Sequence, residues 1–180
     1  SNHPTITTVM MATPTARAIV LAPPRVLMIH PVATAVPTVL PKSINTSGPS
    51  VVIGGVVFTA EIATTAVERK RGLSGRETMG PRKGMLFTSR FGVPPIIWMK
   101  GMLFELDLVW ISERCVVVEI TTDVPVPTKG MADSELPHYK VLSAVHIFEI
   151  GGGEAAKSGV NVGDEVRFVE LEGEAEGLCE

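Results

Sequence analysis

Three short apolar segments in the middle of the chain decide its fold: GMLF at 84–87, IWMKG at 97–101 and LDLVW at 106–110. Each is only four or five residues long, and turn-forming glycine and proline residues lie around them, which is the pattern of short β-strands. Two charged residues, Lys100 and Asp107, interrupt these segments. A charged residue within an apolar segment belongs either to a functional site or to a buried polar arrangement that fixes the fold.

Short apolar runs of this kind continue from residue 51 to residue 171, and turn signals separate them every eight to twelve residues. Such spacing is typical of an all-β sandwich or barrel. The sequence therefore predicts a mainly β fold, a small barrel- or sandwich-like domain of about seven strands with two short helices. The predicted strands are 56–62, 85–88, 96–100, 106–112, 115–121, 141–150 and 165–171.

The two predicted helices have clear boundaries. Thr65 followed three residues later by Glu68 forms a capping box, the side-chain pattern that starts a helix, and Gly72 marks the end of this first helix. The second helix, 154–158, is bounded by glycines on both sides. We expect the first helix to cover one end of a barrel and the second to have a topological role.

The charge distribution divides the chain near residue 50. Residues 1–60 contain no Asp or Glu, and the first fifty residues contain eight prolines, which break helices and remove hydrogen-bond donors from strands. We expect 1–50 to be a Pro/Thr/Val-rich extension, either disordered or a degenerate targeting segment. A single β-rich domain at 51–172 and an acidic tail at 173–180 follow it. No transmembrane segment is predicted, because the apolar run 18–29 is interrupted by two prolines and an arginine.

Composition limits the class of protein. A net charge of −3 and a single basic cluster at 69–71 argue against a nucleic-acid-binding protein, which needs clustered Lys and Arg to neutralise phosphates. Cys115 and Cys179 are too far apart in sequence for a metal-ligand pair, and we expect both to be free thiols because the apolar content suffices for a core. We find no metal or cofactor motif, and Ser74 and Ser143 lack the Gly-x-Ser-x-Gly context of serine hydrolases.

The candidate functional residues are charged and aromatic side chains that share a strand face. Along their predicted strand, the two-residue period places Trp98 and Lys100 on one face, so they are predicted neighbours. Asp107 shares the inward face of its own strand, where an unpaired carboxylate would be costly, and it therefore needs a partner. The candidate partners are Lys100, Arg71 and the backbone donors around Gly101.

Three functions are compatible with this pattern. The first is a binding or accessory domain for a small ligand or another protein, and its ligand surface consists of Arg71, Trp98, Lys100 and Asp107. The second is an enzyme that uses Lys100 and Asp107 as a charged pair, although no catalytic motif identifies a reaction. The third is a purely structural module in which Asp107 is paired or capped to fix the fold.

Several motifs occur in order along the predicted domain: Glu61-Ile62-Ala63, Glu68-Arg69-x-x-Gly72-Leu73, Gly75-Arg76, Gly84-Met85-Leu86-Phe87, Trp98-Met99-Lys100, Leu106-Asp107 and Ala155-x-x-x-Gly159-x-x-x-Gly163-Asp164. Together, over about residues 56–168, they resemble the uncharacterised family called domain of unknown function 192. The resemblance implies a compact, mainly β domain of bacteria and archaea that often follows an export signal and has no established activity. The compartment therefore stays open between cytoplasmic and exported. The site residues that the resemblance implies are Arg71, Gly72, Gly84, Trp98, Lys100 and Asp107.

Overall fold

The structure is a computed structural model, and it describes residues 48–89, 92–171 and 178–179. Within these residues the chain forms nine β-strands, two α-helices and one short 3-10 helix. The strands are β1 (Ser50–Ile53), β2 (Val56–Ile62), β3 (Lys83–Phe87), β4 (Ile97–Trp98), β5 (Leu106–Ile111), β6 (Val117–Val124), β7 (His138–Tyr139), β8 (His146–Gly151) and β9 (Val166–Val169). The helices are α1 (Ala66–Arg71) and α2 (Glu154–Ser158), and the 3-10 helix is Asp133–Glu135.

Seven of the strands form one curled sheet in the order β6-β5-β8-β3-β2-β1-β9, and β4 pairs with β7 in a separate ribbon. Within the sheet, β2 and β3 are parallel and are connected through α1, whereas the other pairs are antiparallel. The segments that precede β6 and β9 meet in an antiparallel bridge between Val116 and Glu165. Next to this bridge, the Val166 N–H donates to the Cys115 carbonyl at 2.8 Å. The sheet is therefore a half-barrel, which confirms the predicted mainly β class.

Apolar side chains cover both faces of this sheet. All six residues of β5 are buried, as expected for a strand that is packed on both sides. One face packs around Phe58, Leu86, Val109, Ile111 and Phe148. The opposite face packs around Met85, Phe87, Leu108, Trp110 and Ile147, together with Leu73, Ile97, Met99 and Met102 from outside the sheet. The IWMKG segment therefore lies over this second face.

The glycine of GMLF is explained by the close approach of β3 and β8. A Cβ atom at Gly84 would lie 2.4 Å from the Phe148 ring and 2.5 Å from the Glu149 carbonyl oxygen. Because a backbone carbonyl in the middle of a sheet cannot give way, residue 84 has to be a glycine. Gly84 therefore has a packing role.

Helix α1 begins and ends where the sequence predicts. The Thr65 hydroxyl accepts a hydrogen bond from the Glu68 N–H at 3.1 Å, and the Glu68 carboxylate accepts one from the Thr65 N–H at 2.8 Å. These two bonds are the predicted capping box. Gly72 follows the last helical residue with a positive φ of 50°. The second predicted helix, 154–158, is confirmed as α2.

The strand predictions differ from the structure in four places. β1 and β7 are not among the predicted strands. The predicted strand 96–100 is reduced to the two residues of β4, and the predicted strand 141–150 begins only at His146, as β8. The short length of β4 follows from its pairing, because β7 is itself only two residues long. Pairing with a distant two-residue strand leaves no periodic pattern in the sequence.

The two cysteines form a disulfide, so the prediction of free thiols is wrong. Cys115 and Cys179 have Cα atoms 5.3 Å apart, which is a normal separation for a disulfide. Cys115 lies in the turn between β5 and β6, and the Cys179 carbonyl accepts a hydrogen bond from the Phe168 N–H at 2.8 Å. The bond therefore joins the turn before β6 to the segment beside β9, and β6 and β9 are the two outer strands of the half-barrel. Its partners become neighbours only when the sheet curls, which sequence spacing does not reveal.

Part of the predicted domain organisation lies outside the described residues. This applies to the extension up to residue 47, to the last residue of the predicted domain, 172, and to residues 173–177 and 180 of the acidic tail. The boundaries at residues 50 and 172 therefore remain predictions. None of the helices in the described ranges has the length and apolar character needed to cross a membrane.

Candidate functional site

Asp107 is fully buried in β5 and is held by the backbone. Its carboxylate accepts hydrogen bonds from three N–H groups: Asp123 at 2.9 Å, Gly153 at 3.1 Å and Ala155 at 2.9 Å. The first donor belongs to β6, and the other two belong to the start of α2. The partners of Asp107 are thus backbone donors, as one of the predicted alternatives has it. They lie at Asp123, Gly153 and Ala155 and not around Gly101. Asp107 ties β5, β6 and α2 together.

Trp98 and Lys100 are neighbours, as strand alternation predicts. The Lys100 ammonium lies 5.4 Å from the centroid of the Trp98 indole, and the opposite partner of Trp98 in the ribbon, His138, stacks on the indole with a centroid separation of 5.9 Å. Lys100 also forms an exposed ion pair with Asp133 of the 3-10 helix. This contact gives Lys100 a partner that is distant in sequence.

The predicted charged pair between Lys100 and Asp107 does not form. Asp107 shares its strand face with Val109 and Ile111, whereas Lys100 lies over the opposite face of the sheet. The sequence correctly places Asp107 on the inward face of β5, but its carboxylate is occupied by backbone donors. The Lys100–Asp107 pair therefore gives no support to the enzyme hypothesis.

Three of the four predicted ligand residues line one small cavity of about 60 Å³, which we call the Glu149 cavity. It lies between α1, the IWMKG segment and the sheet. The predicted residues on its walls are Arg71, Trp98 and Lys100, and the other lining residues include Arg69, Lys70, Met102, Leu106 and Glu149. Asp107 does not contribute to it. The cavity therefore brings together three of the four predicted ligand residues, which come from separate parts of the sequence.

A backbone hydrogen bond connects the end of α1 to the IWMKG segment, the two parts of the chain that line the cavity. The Gly75 N–H, just after α1, donates to the Gly101 carbonyl at 2.9 Å. Gly101 has a φ of 68°, and a Cβ atom there would lie 2.2 Å from the Ser74 hydroxyl oxygen. Another residue at 101 would be strained by the positive φ, and its Cβ would force the Ser74 hydroxyl to rotate away. The hydrogen bond from Gly75 thus ties the turn after Lys100 to the end of α1.

Glu149 is not among the predicted site residues, although it lies at the base of the cavity. It is in the centre of β8, opposite Met85 and Leu108, and only 5% of its surface is exposed. Burial raises the pKa of its carboxyl to about 8. No hydrogen bond or ion pair joins this carboxyl to the part of the chain that the structure describes. Its oxygens are not among the fully enclosed atoms without a partner, so they stay open to the cavity. A Glu in the apolar run 145–150 was the sequence signal for it.

A larger groove of about 450 Å³ lies beside the Glu149 cavity. The two share Arg69, Phe87, Ile96 and Ile97 as lining residues. The remaining walls of the groove are mostly apolar: Val93, Pro94, Pro95 and Val145, with Thr88 and Ser89. A buried polar group thus adjoins an open apolar surface.

The charged groups around the cavity leave its rim positive. Arg76 donates two hydrogen bonds of 2.6 Å to the Glu61 carboxylate and thereby lowers its pKa, and this pair lies on the β2 side of α1. Hydrogen bonds from the backbone of Thr65 and from neighbouring threonine groups lower the pKa of Glu68 to about 2 and occupy it at the start of α1. These two carboxylates are therefore already satisfied, and Asp133 is paired with Lys100. Arg71 and Lys100 both line the cavity itself.

Within the described residues, no three His, Cys, Asp or Glu side chains come close enough to hold a metal ion. The arrangement at the cavity therefore consists of cations, one aromatic ring, apolar walls and one buried carboxyl. Such a combination can bind an organic ligand that carries a polar group at one end.

Comparison with solved structures shows that other proteins have this fold. A protein of unknown function from Novosphingobium aromaticivorans is 25% identical, with a TM-score of 0.57 over 66% of this chain and 83% of that chain. A Sinorhizobium meliloti protein described as a candidate transcription regulator is 23% identical, with a TM-score of 0.55 over 72% of this chain and all of that chain, 100%. At 23% identity, the similarity to the Sinorhizobium meliloti protein shows a shared fold alone, not a shared function. No curated protein matches this chain in sequence.

The family comparison agrees with the motifs that run through the site. The matching family is domain of unknown function 192, described as "Uncharacterized ACR", and the match covers residues 50–168. That range begins with β1, ends in β9 and includes α1, the IWMKG segment and Glu149. Because the match spans the whole described sheet in sequence order, the chain belongs to the domain of unknown function 192 family.

Proposed function

We propose that this domain binds a small ligand in the Glu149 cavity and the adjoining groove. The observation that carries the proposal is the convergence of Arg71, Trp98 and Lys100 over a buried carboxyl that has no partner among the described residues. A binding module was the first of the functions compatible with the sequence. In this proposal Asp107 supports the sheet and does not contact the ligand.

The size and lining of the groove support this proposal. Small-molecule sites are concave, mostly apolar and on the order of 300–1,000 Å³, with a few polar groups that orient the ligand. The groove of about 450 Å³ is within that range, and its walls are mostly apolar. Trp98, half-buried and stacked on His138, offers a flat surface at the polar end.

A purely structural module accounts for Asp107 but leaves Glu149 unexplained. Burying a carboxyl without a hydrogen-bond partner lowers stability, and an apolar residue at position 149 would avoid that loss. A ligand that forms a hydrogen bond with the Glu149 carboxyl would explain why a carboxyl occupies this buried position. The net charge of −3 also supports a small ligand rather than nucleic acid as the partner.

The two tryptophans allow a direct test in the full chain. Octanoate, octanol and octylammonium are titrated separately into ¹⁵N-labelled protein, and the two indole N–H signals are followed by NMR. We expect at least one probe to shift the Trp98 signal. The Trp110 signal should stay in place, because that indole is buried and donates to the Thr121 hydroxyl at 2.9 Å.

Substitution at the cavity should weaken the binding of that probe. Trp98→Ala is expected to raise its Kd about tenfold or more, the loss of about 1.4 kcal/mol of binding free energy. The control is Arg114→Ala in the exposed turn between β5 and β6, which should leave Kd unchanged. If no probe shifts the Trp98 signal, or if both variants bind equally well, the proposed site is wrong. Native mass spectrometry of the purified protein would identify a retained natural ligand.

A further inference from the structure

The Glu149 carboxyl is suited to donate a hydrogen bond to a ligand. Only 5% of the surface of Glu149 is exposed. The residue lines the cavity and has no partner among the described residues. A neutral carboxylic acid carries one O–H donor and one carbonyl acceptor, whereas a carboxylate only accepts. Because burial raises the pKa of Glu149 to about 8, the group is mostly neutral at pH 7. A ligand that reaches it therefore meets a donor.

The charges that face Glu149 favour an anionic ligand. Helix α1 presents Arg69, Lys70 and Arg71 to the cavity, and the IWMKG segment presents Lys100, whose ion-pair partner is Asp133. On the neighbouring strands, Glu61 is bound by Arg76, and Lys83 is the other charged residue on that side of β3. A cationic ligand would have to enter past these cations and ionise Glu149, which burial opposes.

The dimensions of the cavity limit the charged group. At about 60 Å³ the cavity is much smaller than the adjoining groove of about 450 Å³, so it takes only a small polar head. A planar carboxylate is smaller than the tetrahedral head of a phosphate monoester and is therefore the better fit. The apolar part of the ligand would then extend into the groove beside Phe87 and Ile97.

We propose that the ligand is a small organic acid with an apolar body, bound as its carboxylate anion against the protonated Glu149 carboxyl. The O–H of Glu149 donates to one carboxylate oxygen, and such a hydrogen bond to a charged acceptor is short and strong. Arg71 balances the charge of the ligand at the mouth of the cavity, beside the Lys100–Asp133 ion pair, and the groove holds the apolar body. This inference rests on the function proposed above.

The test compares head groups on one chain length. Octanoate, octanol, octylammonium and octyl phosphate are titrated into the full chain by isothermal titration calorimetry at pH 7. We expect octanoate to bind at least tenfold more tightly than each of the other three. Tighter binding of octylammonium or octyl phosphate, with a shift of the Trp98 signal, would leave the ligand site in place and overturn the carboxylate assignment. Failure of all four to bind would overturn the site itself.

The pH dependence tests the role of Glu149. Octanoate stays ionised between pH 6 and pH 9, so a loss of affinity in that range reports on the protein. We expect Kd to rise about tenfold from pH 6 to pH 9 as the Glu149 proton is lost. Glu149→Gln keeps an N–H donor that does not titrate, so this variant should bind at pH 6 and lose the pH dependence.

Two further variants complete the experiment. Glu149→Leu removes the donor and should weaken octanoate binding at least tenfold at pH 6 without unfolding the protein. The control Glu113→Gln, in the exposed turn between β5 and β6, should keep both the affinity and the pH dependence of the wild type. An unchanged pH dependence in Glu149→Gln, or full affinity in Glu149→Leu, would overturn the assignment of Glu149.

Discussion

Two buried carboxyl groups on neighbouring strands have opposite surroundings. Asp107 on β5 accepts three backbone hydrogen bonds, whereas Glu149 on β8 has no partner among the described residues and has a pKa raised to about 8 by burial. The two side chains point to opposite faces of the sheet. At the scale of single residues, one carboxyl therefore fixes the fold and the other is available to a ligand.

Replacing Asp107 by Asn should destabilise the fold. The amide has one acceptor oxygen instead of two, and its NH2 group would face at least one of the three N–H donors. We expect Asp107→Asn to lower the free energy of unfolding by about 2–4 kcal/mol, measured by urea denaturation at pH 7. The control Asp133→Asn breaks an exposed ion pair and should change it by less than about 1 kcal/mol. Wild-type stability in Asp107→Asn would point to a role in ligand binding instead.

Glu149 should make the protein less stable as the pH rises. The unfolded chain releases this proton near pH 4.5 and the native state near pH 8, so between these values the native state binds more protons. The free energy of unfolding therefore falls through this window. His146 opposes the fall below pH 6.5, since burial lowers its pKa to about 4 and the native state there binds fewer protons.

The effect of Glu149 is therefore clearest between pH 6.5 and pH 9. In this range the wild type should lose about 2 kcal/mol of unfolding free energy relative to Glu149→Gln. Urea denaturation of both proteins at pH 6.5, 7.5 and 9 measures the difference. Parallel stability curves for the two proteins would show that the carboxyl does not titrate in this way.

Only part of the site could be predicted at this scale. The proximity of Trp98 and Lys100 and the inward direction of Asp107 follow from the two-residue period of a strand, which is a local rule. The partner of Lys100 is Asp133, on a separate 3-10 helix, and no local rule connects them. Glu149 could be recognised as a charged residue in an apolar run, but its lack of a partner is a property of the folded sheet.

Among the secondary-structure elements, the best predictions are those with signals inside the element. Helix α1 is fixed by the capping box of Thr65 and Glu68 and by Gly72, all within eight residues of sequence. β7 has no such signal, because its two residues are defined only by pairing with β4. β1 has a signal that the strand prediction does not use. Gly54 and Gly55, between β1 and β2, are typical of a hairpin turn, although a proline-rich region precedes β1.

At the scale of the whole molecule, the mainly β class follows from the spacing of apolar runs, but the closure of the sheet does not. The order β6-β5-β8-β3-β2-β1-β9 brings strands together that are far apart in the sequence. The bridge between Val116 and Glu165 and the disulfide between Cys115 and Cys179 both depend on that order. Spacing alone could therefore not pair the cysteines. Such a bond persists in an oxidising compartment.

The disulfide should contribute to the stability of the half-barrel. Reduction, or the double change Cys115→Ser with Cys179→Ser, should lower the free energy of unfolding by about 2–4 kcal/mol, because the bond closes a long loop in the unfolded chain. Urea denaturation with and without dithiothreitol measures this. The double variant is the control and should not respond to the reductant. If the reductant changes the wild type no more than the double variant, the bond does not stabilise the fold.

The position of β1 within the sheet has a consequence for how the chain is made. β1 lies between β2, its immediate successor, and β9, where Ser50 is aligned with Val169 at the far end of the domain. During synthesis β1 and β2 can pair early, but the outer edge of β1 stays open until almost the entire domain has left the ribosome. Contacts between such distant residues are also the ones that slow folding. An unpaired β1 edge on a nascent chain is therefore exposed to other strands for longer than any hairpin in the sheet.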